Sequence, residues 1–143
     1  MADGKMVILI DSNYFVSLLN KDDTNHARAN IIFDDLLGGT YGTRITTNFI
    51  LDEAITVTWV RTKNKNIVNE VYSLFIGKEA ITLVHAFPLD MIPDAWHIFN
   101  QYADLKRPLS FTDCTNISYI KKRGIDYMLS FDGEFDGIVS RIC

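Results

Sequence analysis

Apolar positions along the chain change period several times, and the changes mark out the elements. "MVILI" (6–10) is an unbroken apolar run rich in β-branched residues, the pattern of a strand covered on both faces of a parallel sheet. A helix near 12–19 follows, carrying Tyr14, Phe15, Leu18 and Leu19. "TNHARANIIFDDLL" reads as a second helix, stopped at Gly38-Gly39. "TRIT" (43–46) is a short strand; "NFILDEAITVTWVRTKN" and "NIVNEVYSLFIG" have helical spacing, the second ending at Gly77. "AITLVHA" (80–86) is strand-like, and "MIPDAWHIFNQYADL" is helical with Pro93 in its first turn. "SFTDCTNISYIKKRG" is a further helix, stopped by Gly124. Strand "IDYMLSF", a turn around "DGEFDG" and a last strand "IVSRI" follow. Strands thus alternate with single helices or helix pairs. That order predicts an α/β fold, a three-layer α/β/α sandwich around a mostly parallel sheet, as one domain over 1–143.

Composition narrows the function classes. Hydrophobic residues make up 48% and charged residues 22%, the balance of an ordinary globular domain. No apolar run is long enough to span a bilayer, and "MADGKM" lacks the basic and apolar regions of a signal peptide, so a cytoplasmic protein is expected. Cys114 and Cys143 have no CxxC or zinc-ligand spacing and read as reduced thiols. His26, His85 and His97 also show no metal spacing. A net charge of −4 and a pI near 5.2 argue against coating nucleic acid through bulk charge. Recognition through local patches and bound cations stays open.

Four acids resist a purely structural account. Asp11 ends the first apolar run, where it, Ser12 or Asn13 can cap the next helix, and where α/β folds also bind ligands. Glu53 shares a helix face with Phe49, Ile50 and Val57, an expensive place for an unpaired carboxylate unless it lies at the margin of the stripe or meets a cation. Asp113 in Ser110-x-x-Asp113 fits a capping box, yet also shares a face with Ile117 and Ile120. Asp132 follows its strand as Asp11 follows the first. Asp136 joins them or belongs to the turn. Clustered carboxylates repel unless protonated or bound to cations. An all-oxygen set favours Mg²⁺ or Mn²⁺ over zinc.

With these residues in place, the chain resembles the PIN domain family, in particular its small single-domain ribonucleases, which include VapC-type toxins of toxin–antitoxin pairs. The resemblance runs from "ILIDSN" to the last strand. Its four acids match Asp11, Glu53 in "FILDEA", Asp113 in "LSFTD" and Asp132 in "LSFDGEFD", where Phe135 also has its usual place; Asp136 falls near the weaker fifth acid. Cys114 stands where alanine is more usual and Ser130 where threonine is common. The resemblance implies strand order 3-2-1-4-5, metal-dependent hydrolysis of single-stranded RNA, commonly a homodimer, and an antitoxin protein as a possible partner. On this hypothesis Asp11, Asp113 and Asp132 hold one or two Mg²⁺ or Mn²⁺ ions, Glu53 holds a second ion or positions water, and Ser12 or Asn13 caps the helix.

Substrate grip is less sharply marked. Asn13 and Thr112 are within reach of phosphate or water, with equally good local capping roles. Arg44 and Lys106-Arg107 flank elements that bear the acids. "RTKNK" (61–65) and "KKR" (121–123) are further basic clusters, the latter suited to the end of a helix. The apolar helix "NIVNEVYSLFIG" offers a face for a second copy or an antitoxin, or packs into the core. Two other readings remain: a PIN fold that binds RNA or a partner without cutting, and a receiver-like signalling domain. The receiver needs an Asp after its third strand and a Lys after its fifth, and neither is present.

Overall fold

The computed structural model describes residues 5–143; the opening residues 1–4, within the segment read for a signal peptide, lie outside them. Five strands form one sheet: β1 (Val7–Ile10), β2 (Thr43–Thr47), β3 (Leu83–His85), β4 (Tyr127–Leu129) and β5 (Arg141–Ile142). Their order is β3-β2-β1-β4-β5, and all four pairings are parallel. Order and direction are as the resemblance implied. β1 lies in the centre and is buried along its whole length, which is why its sequence shows no alternation.

Among the described residues six α-helices flank the sheet: α1 (Ser12–Leu19), α2 (His26–Leu37), α3 (Asn48–Thr62), α4 (Lys65–Phe75), α5 (Ile92–Tyr102) and α6 (Phe111–Arg123). Tyr14, Phe15, Ile32, Ile50, Ile117, Met128 and Leu129 are among the side chains that fill the core. Phe15 meets Phe75 of α4 with ring centroids 4.1 Å apart. α6 is buried from Asp113 to Ile120 without interruption. Among the described residues no helix is long and apolar enough to cross a membrane.

Two glycines do conformational work. Gly124 ends α6 in the left-handed region, the expected stop. Gly42, at φ 79°, precedes β2 so tightly that a Cβ there would lie 2.1 Å from the Met6 carbonyl oxygen. The sequence overextended three strands, the fourth being Tyr127–Leu129 where "IDYMLSF" was expected. The third covers Leu83–His85 rather than 80–86, and the fifth is only Arg141–Ile142. Part of the turn around "DGEFDG" is a single 3₁₀ turn, Gly133–Phe135. Residues 138–139 return the chain to the sheet, and pairing starts where the Met128 amide donates to the Ser140 carbonyl at 2.9 Å.

α4 divides its apolar residues. Val71 and Phe75 enter the core, whereas Tyr72 and the C-capping Ile76 stay 48% and 43% exposed. Core packing therefore explains half of that helix's apolar character.

Candidate metal centre at the carboxyl edge of the sheet

Parallel β1 and β4 end side by side, joined by the Asp11 amide donating to the Leu129 carbonyl at 2.9 Å. Both chains then turn over the same edge, so Asp11 and the segment 130–134 meet there. α3 and α6 bring their own acids to it from either side. The result is a cleft of about 200 Å³ lined by Asp11, Ser12, Asn13, Glu53, Val57, Arg61, Pro108, Ser110, Asp113, Asp132 and Glu134. Four sequence-predicted acids thus come together, from four separate elements.

Asp11 is 3% exposed. It is itself the N-cap of α1: Oδ1 accepts from the Ser12 amide at 2.8 Å. This corrects the expectation that Ser12 or Asn13 supplies the cap. The extended backbone at Asp11, on leaving β1, lets its short side chain fold back onto the first free amide, while Ser12 and Asn13 already lie in the helix. Oδ2 accepts from Ser130 Oγ at 2.8 Å and from Asn13 Nδ2 at 3.4 Å. Asn116 Nδ2 approaches Oδ1 at 3.5 Å. Burial above all, then the negative charge of Asp113, pushes the Asp11 carboxyl up to about 7; the Ser130 hydrogen bond opposes this and Glu53 adds to it.

Asp113 does both things the sequence allowed. It completes a capping box, with Ser110 Oγ accepting from the Asp113 amide at 3.0 Å and Asp113 Oδ2 accepting from the Ser110 amide at 2.8 Å. It also lines the cleft, 9% exposed. Burial pushes its carboxyl up to about 6 against the pull of Ser110, with Glu53 and Asp132 adding to the rise. Glu53 sits at the margin of its stripe: the buried face of α3 is Ile50, Ala54 and Thr58. From that margin Glu53 Oε2 accepts from Ser12 Oγ at 3.0 Å. Asp132 caps the 3₁₀ turn, accepting from the Glu134 amide at 2.9 Å.

That turn brings in an acid missing from the sequence reading. Asp113, Asp132 and Glu134 each present an oxygen within 4.8 Å of the other two. Asp136, the acid expected near this place, is not among the cleft residues. Its carboxylate takes Arg141 Nε at 2.8 Å and Nη2 at 3.0 Å, and Arg141 holds it below the usual carboxylate range. Asp132 is the N-cap of this 3₁₀ turn and Glu134 lies within it, both reaching the cleft, whereas Asp136 is its C-cap and pairs with Arg141 of β5.

The expected substrate contacts separate as well. Asn13 lines the cleft, but its amide is occupied: Nδ2 donates to Ser130 Oγ at 3.0 Å and Oδ1 accepts from the Phe131 amide at 3.1 Å. Arg44 is elsewhere. It lies in the amino half of β2 and donates to the carbonyls of Ile81, at 2.6 Å, and Leu36. Parallel strands put the amino ends opposite the cleft, so no rotamer change returns it there. Lys106 and Arg107 form a turn on Asp104 Oδ1, and Arg107 Nη2 reaches the Asp136 carbonyl at 3.3 Å. Neither of these nor Thr112 lines the cleft; Pro108 and Ser110 do.

Ser130 and Asn116 carry more than their sequence suggested. Ser130 is fully buried; besides donating to Asp11 it accepts from the Asp132 amide at 3.1 Å and so ties the two strand-end acids together. Asn116 is fully buried, with Oδ1 unpartnered. Its signal was available as a polar residue one turn after Asp113 on a face of isoleucines.

The donors fit a hard divalent cation. They are all oxygen, two of the carboxyls are pushed toward protonation by burial and by neighbouring carboxylates, and a buried amide oxygen of Asn116, whose Nδ2 approaches Asp11, lacks a donor. A cation would offset both the cost of burying these charges and their mutual repulsion.

A family model described as the PIN domain matches residues 8–139. No curated protein matches the chain. Among solved structures, VapC20 of Mycobacterium tuberculosis, described as a sarcin-ricin loop cleaving toxin, superposes with a TM-score of 0.76 at 22% identity, covering 92% of this chain and 96% of that one. VapBC2 of Rickettsia felis, bound to a fragment of promoter DNA, gives 0.66 at 13% identity over 96% and 98%. A toxin–antitoxin complex from Klebsiella pneumoniae gives 0.64 at 11% identity over 95% and 96%. At these identities the likeness is one of fold.

Proposed function

The chain belongs to the PIN domain family, and on that premise we propose that it is a Mg²⁺- or Mn²⁺-dependent endoribonuclease acting on single-stranded RNA, the toxin of a toxin–antitoxin pair. The observation that carries this reading is the convergence of Asp11, Glu53, Asp113, Asp132 and Glu134 on one cleft. Toxin and antitoxin neighbours of the same fold support the biological role. The reading places the protein in the cytoplasm.

Asp113, Asp132 and Glu134 would hold one ion, and Asp11 with Glu53 would complete that site or hold a second. When bound, the metal lowers the pKa of water and offsets charge on the phosphate oxygens. Ser130 and the Ser12 amide fix the Asp11 carboxylate, and Asn13 fixes segment 130–131 against α1, so the acids meet a ligand without first having to be ordered. Glu53 Oε2, steadied by Ser12 Oγ, is placed to orient the attacking water and accept its proton. The exposed apolar side chains of Trp59 and Val60 on α3 and of Tyr72 and Ile76 on and just after α4 are the candidates for contact with a second copy or an antitoxin.

One observation favours a PIN fold that binds without cutting: Asp11 already accepts from Ser12, Asn13, Ser130 and Asn116. Purified protein incubated with mixed single-stranded RNA separates the two. The nuclease reading expects cleavage with Mn²⁺ that EDTA abolishes and Asp11→Asn lacks. Calorimetric titration showing no Mn²⁺ binding, or binding indifferent to Asp11→Asn, would sink it in favour of the binding module.

A further inference from the structure

Five carboxylates line the cleft, and the cation among its lining residues is Arg61. Even two divalent ions would not neutralise the five acids once ionised. An RNA strand brings further negative charge, so its phosphates need a fixed positive group beside the metal centre. We propose that Arg61 is a phosphate-binding subsite that grips a phosphodiester flanking the scissile one, and that Asp23 holds the guanidinium in place until RNA arrives. The assignment rests on the nuclease reading above.

The geometry comes from α3. Glu53, Val57 and Arg61 recur every four residues along one helix face, and all three line the cleft. Eight residues of helix separate the Cα atoms of Glu53 and Arg61 by about 12 Å. That spacing sets Arg61 beyond the acids, along the path a strand would take from them. Helical side chains lean toward the amino end, so Arg61 extends over Val57 toward the cleft.

Its present partner is Asp23, in the α1–α2 connection, at 3.9 Å. The Arg61 side chain is 58% exposed and the Asp23 side chain 12%. At that distance the pair lacks a close hydrogen bond, and exposed pairs of this kind contribute little to stability. Asp23 is fixed: its Oδ1 accepts from Ser17 Oγ at 2.9 Å and from the Asn25 amide at 2.8 Å. Arg61 is therefore held loosely by a rigid anchor. A phosphate offers the planar, two-pronged guanidinium better acceptors than Asp23 provides.

A structural role alone would have Arg61 offset the charge of the cleft acids, and the two roles predict different measurements. The probe is a fluorescein-labelled, mixed-sequence single-stranded RNA, followed by anisotropy with saturating Mn²⁺ in a Glu53→Gln background that stops turnover. Removing one phosphate contact lowers the slope of log affinity against log salt by about 0.7, or about fivefold in affinity at 0.1 M salt. Arg61→Ala should show both changes with Mn²⁺ affinity essentially unaltered by calorimetry. Arg61→Lys should restore the slope. Asp23→Asn, which keeps the oxygen that accepts from Ser17 and Asn25, should tighten RNA binding. Arg61→Ala that keeps affinity and slope, or tightens Mn²⁺ without weakening RNA, overturns the proposal and leaves the nuclease reading standing. Absence of RNA binding by the background protein itself overturns both.

Discussion

Asp11→Asn is expected to make the metal-free protein more stable at pH 8 while abolishing its response to Mn²⁺. Burial and the neighbouring carboxylates of Asp113 and Glu53 push the Asp11 carboxyl from 3.8 up to about 7. Between these values the folded protein keeps a proton that the unfolded chain has lost. Stability therefore falls as pH rises from about 4 to about 7 and is level above that. The gap corresponds to roughly 4 kcal/mol. Asparagine avoids the ionisation but has a single oxygen, so it can keep the acceptor for the Ser12 amide and loses the one used by Ser130 Oγ, a loss of about 1–2 kcal/mol. The net gain at pH 8 is about 2–3 kcal/mol, a rise in Tm on the order of 5–10 °C for a domain of this size. Below about pH 5 the gain should vanish.

The assay is thermal unfolding of both proteins from pH 4.5 to 8.5, with EDTA and with Mn²⁺. Mn²⁺ at a hundred times its Kd should stabilise the unsubstituted protein by about 2.7 kcal/mol and leave Asp11→Asn unmoved. Some pH dependence should survive in the variant, because Asp113 is also pushed up, to about 6. The reasoning is refuted if Asp11→Asn is the less stable protein at pH 8 in EDTA, or if the difference in Tm does not change with pH.

Asp132→Asn and Glu134→Gln should each weaken Mn²⁺ binding by calorimetry, about 10-fold or more for loss of a charged oxygen ligand. Asp136→Asn should leave it within twofold, since that carboxylate is engaged by Arg141; equal losses at Glu134 and Asp136 would contradict the assignment. Ser130→Ala removes a donor to Asp11 and the acceptor for the Asp132 amide and Asn13 Nδ2. It should cost about 1–3 kcal/mol in denaturant unfolding. By lifting Asp11 further, it should also shift the onset of Mn²⁺ binding to higher pH; an unchanged onset would show that Ser130 does not set that carboxyl.

Local chemistry made much of the molecule legible. The unbroken run of β1, the capping box at Ser110 and Asp113, and the glycine that ends α6 are patterns within a few residues, and the structure follows them. The short third and fifth strands were not legible to their ends, because pairing partners, rather than the apolar character of 80–86 or 138–142, decide where a ladder stops. Asp11 could be placed at the end of β1 from sequence as one of three candidate caps, but not singled out as the cap itself. That depended on backbone angles at one residue.

What the sequence determined by itself was the alternation of elements and the four acids at strand ends and on helix faces, since periodicity records which side of each element is buried. The tertiary structure decided which groups meet. Glu134 enters the cleft and Asp136 leaves it because one 3₁₀ turn sends them different ways. Arg44 is excluded by its place in the amino half of a parallel strand, and Arg61 is admitted by the packing of α3 against α1. Such meetings join residues about twenty to a hundred and twenty positions apart. The physical reason is that a helix or strand sets a side chain's direction locally, whereas its neighbours across the cleft are set by how whole elements pack.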